Sequence, residues 1–102
     1  MKNLNQLMKQ AQQMQARMAE VQKELAEAEF TGQAGGGMVS VTLSGAMELR
    51  QVRIDPEALA DGDAEMLEDL VTAAFRAAQD AAQKASAEKM GPLAGGMGLP
   101  GF

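Results

Sequence analysis

An α+β fold follows from three features of this 102-residue chain. A long polar helix with a narrow apolar stripe opens it, a glycine-punctuated stretch alternating with period two fills the middle, and a second helical stripe follows. The length suits one domain around one core.

The first helix is expected over residues 4–29. With Leu4 at heptad position a, the a positions are Leu4, Ala11, Met18 and Leu25, and the d positions are Leu7, Met14, Val21 and Ala28. Every seam position is apolar, and most others are Gln, Lys, Glu, Arg or Asn. This is a coiled-coil pattern about 39 Å long. Such a rod cannot bury its own stripe and needs another helix. Next, MVSVTL (38–43) places Met38, Ser40 and Thr42 on one face and Val39, Val41 and Leu43 on the other, as in a half-buried strand. Ser44-Gly45 signals a tight turn. AMELRQVRI (46–54) is a second strand whose apolar alternation slips between Leu49 and Val52, which points to a bulge. Phe30–Ala34 is a third, weaker strand, and an antiparallel meander is the simplest joining. Asp55-Pro56 closes the sheet, since proline cannot continue a ladder.

Residues 57–62 read as a loop or short helical turn. Asp63 is a good N-cap for a second helix from about Ala64 to Lys89, with Glu65, Glu68 and Asp69 favourable to its dipole. Its stripe, Leu67, Leu70, Val71, Ala74, Phe75, Ala78, Ala81, Ala82 and Ala85, narrows to alanine and so permits close approach. Residues 1–90 form the expected domain, and 91–102, with five Gly and two Pro, a flexible tail.

Composition excludes most chemistry. There is no Cys, His, Trp or Tyr, so disulfides, ordinary zinc sites and Cys or His nucleophile–base pairs are out. Ser40, Ser44 and Ser86 have no base beside them, and no apolar setting is evident to raise a carboxyl pKa. An enzyme is therefore not expected, nor a cofactor, metal or small-molecule substrate. With Phe30, Phe75 and Phe102 the only aromatics, base-stacking platforms are not expected either. No apolar run approaches the ~18 residues of a membrane span, and the polar N-terminus is no signal peptide; the expected location is the cytosol.

The net charge of −5 hides a segregation. Residues 1–19 hold Lys2, Lys9 and Arg17 and no acid, giving +3, whereas residues 55–69 hold seven acids and no base, giving −7. Lys2, Lys9 and Lys23 share heptad position f. A basic arm on an acidic protein can still meet phosphate, because screening confines distant charge to about 8–10 Å. Arg50 and Arg53, near Glu48, are equally readable as sheet-surface charges and as phosphate ligands. Gly35-Gly36-Gly37 is no phosphate loop, since no Gly-Lys-Ser/Thr follows and a strand stands where a helix should begin; it reads as a strand connection. Asp55, Glu57, Asp61, Asp63 and Glu65 miss the calcium-loop pattern because glycine stands eighth, not sixth. They read as a solvated loop and helix cap. The methionines on the first helix, Met8, Met14 and Met18, read as seam packing.

These residues together resemble the YbaB/EbfC family of nucleoid-associated proteins. The resemblance covers roughly residues 4–90 and rests on MKQAQQMQ (8–15), TGQAGGGMVSV (31–41), Ile54-Asp55-Pro56 and LEDLVTAA (67–74), with more in the Leu-Pro-Gly-Phe end. It implies a homodimer with a central sheet and paired helices projecting as tweezer arms. It also implies a nucleoid location and binding of duplex DNA with little sequence preference, through arms that here carry Lys2, Lys9 and Arg17. The full DNA-contact set expected is Lys2, Lys9, Arg17, Lys23, Arg50 and Arg53. A two-fold dimer is also expected because a monomer would leave its stripe and sheet face bare. The competing reading is a protein-interaction adaptor dimer, gripping a partner by its Met/Leu seam or by Leu93, Leu99 and Phe102.

Overall fold

The computed structural model describes residues 2–96, with side chains from Asn3 to Pro92. Helix α1 (Lys2–Glu27) leads into strands β1 (Glu29–Ala34), β2 (Val39–Ser44) and β3 (Leu49–Ile54), a single 3-10 turn (Pro56–Leu59) and helix α2 (Ala64–Gly96). The strands form one antiparallel sheet in the order β1-β2-β3, the expected meander. The molecule is drawn out to 74 × 24 × 16 Å.

The register assigns each face. Phe30, Gly32 and Ala34 on β1 stand opposite Leu43, Val41 and Val39 on β2, and Val52 and Ile54 on β3 stand opposite Val41 and Val39. This is the apolar face, and α2 lies on its β1 and β2 part. Val39, Val41, Leu43, Ala74 and Ala78 form the buried centre, flanked by Leu67, Leu70, Val71 and Phe75. The other face is polar. On it Thr31 and Thr42 pair their hydroxyls across the strands at 2.9 Å, and Gln33, Ser40, Gln51 and Arg53 continue the row.

Two glycines set how closely the layers meet. A Cβ on Gly32 would run into the Ala74 carbonyl and the Ala78 amide of α2, so β1 and the helix are in backbone contact. A Cβ on Gly45 would strike the carbonyl of Leu25, where α1 ends against the β2–β3 loop. The Gly45 amide donates to the Ala28 carbonyl there at 3.1 Å. The glycine run 35–37 forms the β1–β2 turn, with all three residues at positive φ; that conformation is nearly free only for glycine.

The expected cap of α2 is present, and the 3-10 turn has a cap of its own that was not expected. Asp63 Oδ1 accepts from the Met66 amide at 3.0 Å, and Asp55 Oδ1 from the Glu57 amide at 2.9 Å. The expected bulge is also present. Thr42 pairs with Gln51 and Leu43 with Leu49, so Arg50 is the extra residue.

Other boundaries differ. α1 stops at Glu27, and Glu29 already pairs with Ser44 as the first residue of β1. β3 begins at Leu49, not Ala46, because residues 45–48 form a loop. Buried Ser44 pins that loop, its hydroxyl accepting from the Ala46 and Glu48 amides at 3.2 Å each. α2 does not end near Lys89 but continues through Gly91 and Pro92 to Gly96. Proline removes only one backbone bond, from residue 92 to Glu88, and the alanine-rich turns before it hold the helix. The expected tail thus begins as helix; residues 97–102, with Leu99 and Phe102, lie outside the described residues, as does the Leu93 side chain.

The α1 seam is covered by degrees. Leu25 is buried, Met14, Met18 and Val21 are half-buried, and Leu4 and Leu7 are 58% and 60% exposed. α2 supplies the required helix partner only toward the C-terminal end of α1, where Lys89 reaches Glu24 at 3.6 Å. That exposed ion pair is worth no more than about 1 kcal/mol; burial of Leu25 is worth about 1.5–3 kcal/mol.

Gly32→Ala should therefore cost about 2–3 kcal/mol, since the clash is with backbone and not with a movable side-chain end. Urea unfolding would measure it, and a loss under about 0.5 kcal/mol would contradict the close contact. Met47 has φ 64, so Met47→Gly should raise stability by about 0.5–1 kcal/mol by removing left-handed strain in excess of the entropy it adds. The same titration checks it.

Candidate nucleic-acid interface

The described residues divide the candidate cations into two groups. Lys9 and Arg17 lie exposed on the free part of α1, about 12 Å apart along the axis. Lys2 begins the same helix, but its side chain lies outside the described residues. Lys23 is exposed farther along, amid Glu20, Glu24 and Glu27, where neighbouring carboxylates offset its charge. Arg50 and Arg53 are on β3. Arg50 occupies the bulge, while Arg53 is on the polar face opposite Ser40 and borders a cleft of about 360 Å³ with Gln33, Met38 and Asp55. A single chain does not bring the groups together. Lys9 precedes Leu25, where α1 meets the β2–β3 loop, by about 24 Å of helix.

The charge order of α1 opposes its dipole. The first turn contains no acid, and the last turn contains no base; Glu24 and Glu27 stand near the negative end. Anions favour a helix N-terminus and cations a C-terminus, by about 0.3–1 kcal/mol each. Helix stability therefore does not account for a basic N-terminal half, whereas α2 starts with acids, Asp63 and Glu65, in the usual order, although it too has no base in its last turn.

The sequence reading, fixed on charge, passed over the amides. Between residues 3 and 15 stand Asn3, Asn5, Gln6, Gln10, Gln12, Gln13 and Gln15, all exposed. Gln10, Gln13, Arg17 and Glu20 line a shallow groove with Met14 and Ala16. Amides donate to phosphate and sugar oxygens without drawing in counter-charge. The signal was a 19-residue stretch without a carboxylate, in which the polar positions are amide or cation. Among the described residues no helix is long and apolar enough to cross a membrane, and no acidic cluster is arranged to hold a metal ion.

Comparison with known proteins gives relatives similar in sequence and in fold. A nucleoid-associated protein of Saccharopolyspora erythraea is 49% identical, with 98% of this chain and 94% of that one covered. A nucleoid-associated protein of Xanthomonas campestris pv. campestris is 55% identical, covering 96% and 91%. An uncharacterized protein of Helicobacter pylori has the same fold in its crystal structure, with a TM-score of 0.70 and 25% identity over 82% of this chain and 88% of that one. The YbaB/EbfC DNA-binding family matches residues 1–97, and the chain belongs to that family of DNA-binding, non-enzymatic proteins.

Proposed function

We propose that this chain binds duplex DNA in the bacterial nucleoid as a two-fold homodimer, with little sequence preference, and thereby alters DNA conformation and gene expression. The observation that carries the reading is the free half of α1, acid-free, amide-rich and cationic at Lys9 and Arg17. Phosphate contacts supply affinity without sequence information. Few arginines are placed to read base edges, so discrimination is weak. Lys2, Lys23, Arg50 and Arg53 complete the contact set, with Arg50 and Arg53 reaching the duplex only from the sheet.

The dimer rests on β3. Among the described residues its outer edge has no strand beside it, and Leu49, Val52 and Ile54 are 57%, 41% and 39% exposed, because α2 stops short of that strand. A second copy laid against this face covers apolar side chains and satisfies the ladder groups of an open edge. Each dimer then presents the basic helix twice. An adaptor that grips another protein is the second reading, favoured by the exposed Leu4, Leu7 and Met8 on the same helix.

A gel shift with random-sequence duplex, at low salt and at about 0.3 M, separates the two. DNA binding gives a shift that salt abolishes; no shift up to tens of micromolar protein favours the adaptor. Lys9→Ala in both subunits should lower the salt slope of binding by about 1–2, and an unchanged slope would remove Lys9 from the phosphate contacts. Val52→Glu should convert the dimer to monomer in sedimentation equilibrium, and a mass unaffected by it would place the interface elsewhere.

A further inference from the structure

The two ends of the molecule are complementary to each other. α1 meets the sheet at the β2–β3 loop, since Leu25 abuts Gly45. The opposite end of the strands holds the β1–β2 turn, where Gly35 abuts Leu70 of α2, and Asp55, whose amide donates to the Met38 carbonyl at 2.7 Å. The acidic segment 55–69 therefore lies at the end of the sheet remote from α1. About 20 Å of strand and most of α1 separate it from Lys9.

Both ends pair charge with bare apolar side chains. At the basic end Leu4, Leu7 and Met8 are exposed on the first turns, and Met8 adjoins Lys9, which at heptad position f faces away from Leu4 and Leu7. At the acidic end Leu59 and Met66 are exposed among Glu57, Asp61, Glu65, Glu68 and Asp69. Between the 3-10 turn and the start of α2 is a hollow of about 170 Å³, lined by Ala58, Leu59, Gly62, Asp63, Ala64 and Leu67. It has room for an aliphatic side chain and a carboxylate at its rim. Among the described residues the one ion pair is Glu24–Lys89, so none of the acids of 55–69 pairs with a described cation.

We infer that the basic tip of α1 in one copy docks on the acidic end of another, with Met8 entering the hollow and Lys9 beside it facing Asp61 and Glu65. Because the two surfaces are different and lie at opposite ends, the contact is heterologous and does not close on itself; it propagates copies head to tail. The patches are small, so each contact is weak and salt-labile. The same tip serves DNA under the reading above, so duplex and self-contact compete for it.

Sedimentation velocity of the full chain without DNA tests this independently of any DNA role. In about 20 mM salt the weight-average mass should rise with concentration to at least about three times that of the smallest species, without a plateau, and in about 0.5 M salt only that species should remain. Mass independent of concentration at low salt would overturn the inference, and so would a plateau at a simple doubling, which marks like ends pairing in a closed contact. Charge swaps give the second test. Lys9→Glu with Arg17→Glu, and separately Asp61→Lys with Asp69→Lys, alter exposed side chains only. Each double variant should stop growing alone, and an equimolar mixture should grow again, because each then carries the end that the other lost. A mixture that stays small would overturn head-to-tail docking, whatever the DNA gel shift gives.

Discussion

The seat of α2 on β1 governs what the rest of the molecule leaves uncovered. Gly32 lets the helix backbone come into contact with the strand, and Ala74, Ala78 and Ala82 keep that side of the helix thin enough to follow. At that separation α2 closes over Val39, Val41 and Leu43 but does not reach Leu49, Val52 and Ile54. A bulkier seam would lift α2 and open the small core. The bare third strand and the compact centre thus have a common cause, and most of the burial lies in two strands and one helix stripe.

A second consequence concerns α1. Its C-terminal end is anchored by buried Leu25 against the β2–β3 loop, which Ser44 and Gly45 shape. Beyond that anchor the helix loses cover steadily, and its first three turns rely on backbone hydrogen bonds and on the propensity of Gln, Lys, Met and Ala. A helix this polar tolerates such exposure where a more apolar one would aggregate. The charges that would best stabilise it are reversed along its length, which is the cost of keeping carboxylates away from the free end.

Periodicity carried most of this into the sequence. The heptads of α1 marked a helix wanting a partner, the alternation of 38–43 marked the half-buried strand, and the slip between Leu49 and Val52 marked the bulge at Arg50. The alanines of α2 announced close approach. What could not be read was context. Nothing local distinguishes Gly32, which touches a helix backbone, from a glycine tolerated in a strand, and nothing flags Met47 for a left-handed conformation. Gly91-Pro92 is a strong stop signal, yet α2 passes through it, because the alanine-rich turns before it outweigh the loss of one bond. For the interface, charge pointed to Lys9 and Arg17, but the amides between them carried no charge to notice. That Arg50 and Arg53 stand apart from the helix cations required the fold.

Segregated charge reconciles an acidic protein with a polyanionic partner. On average a chain of −5 is repelled by DNA. The acids of 55–69, however, lie beyond the whole length of β1 to β3 from α1, and the strands alone span about 20 Å, or about two and a half Debye lengths at physiological salt. At that range their repulsion at the α1 tip is largely screened, while Lys9 and Arg17 act at contact. Lowering the salt strengthens both terms, so the acidic end tempers affinity most where phosphate attraction is greatest. The position of the acids, more than their number, sets how an acidic protein meets DNA.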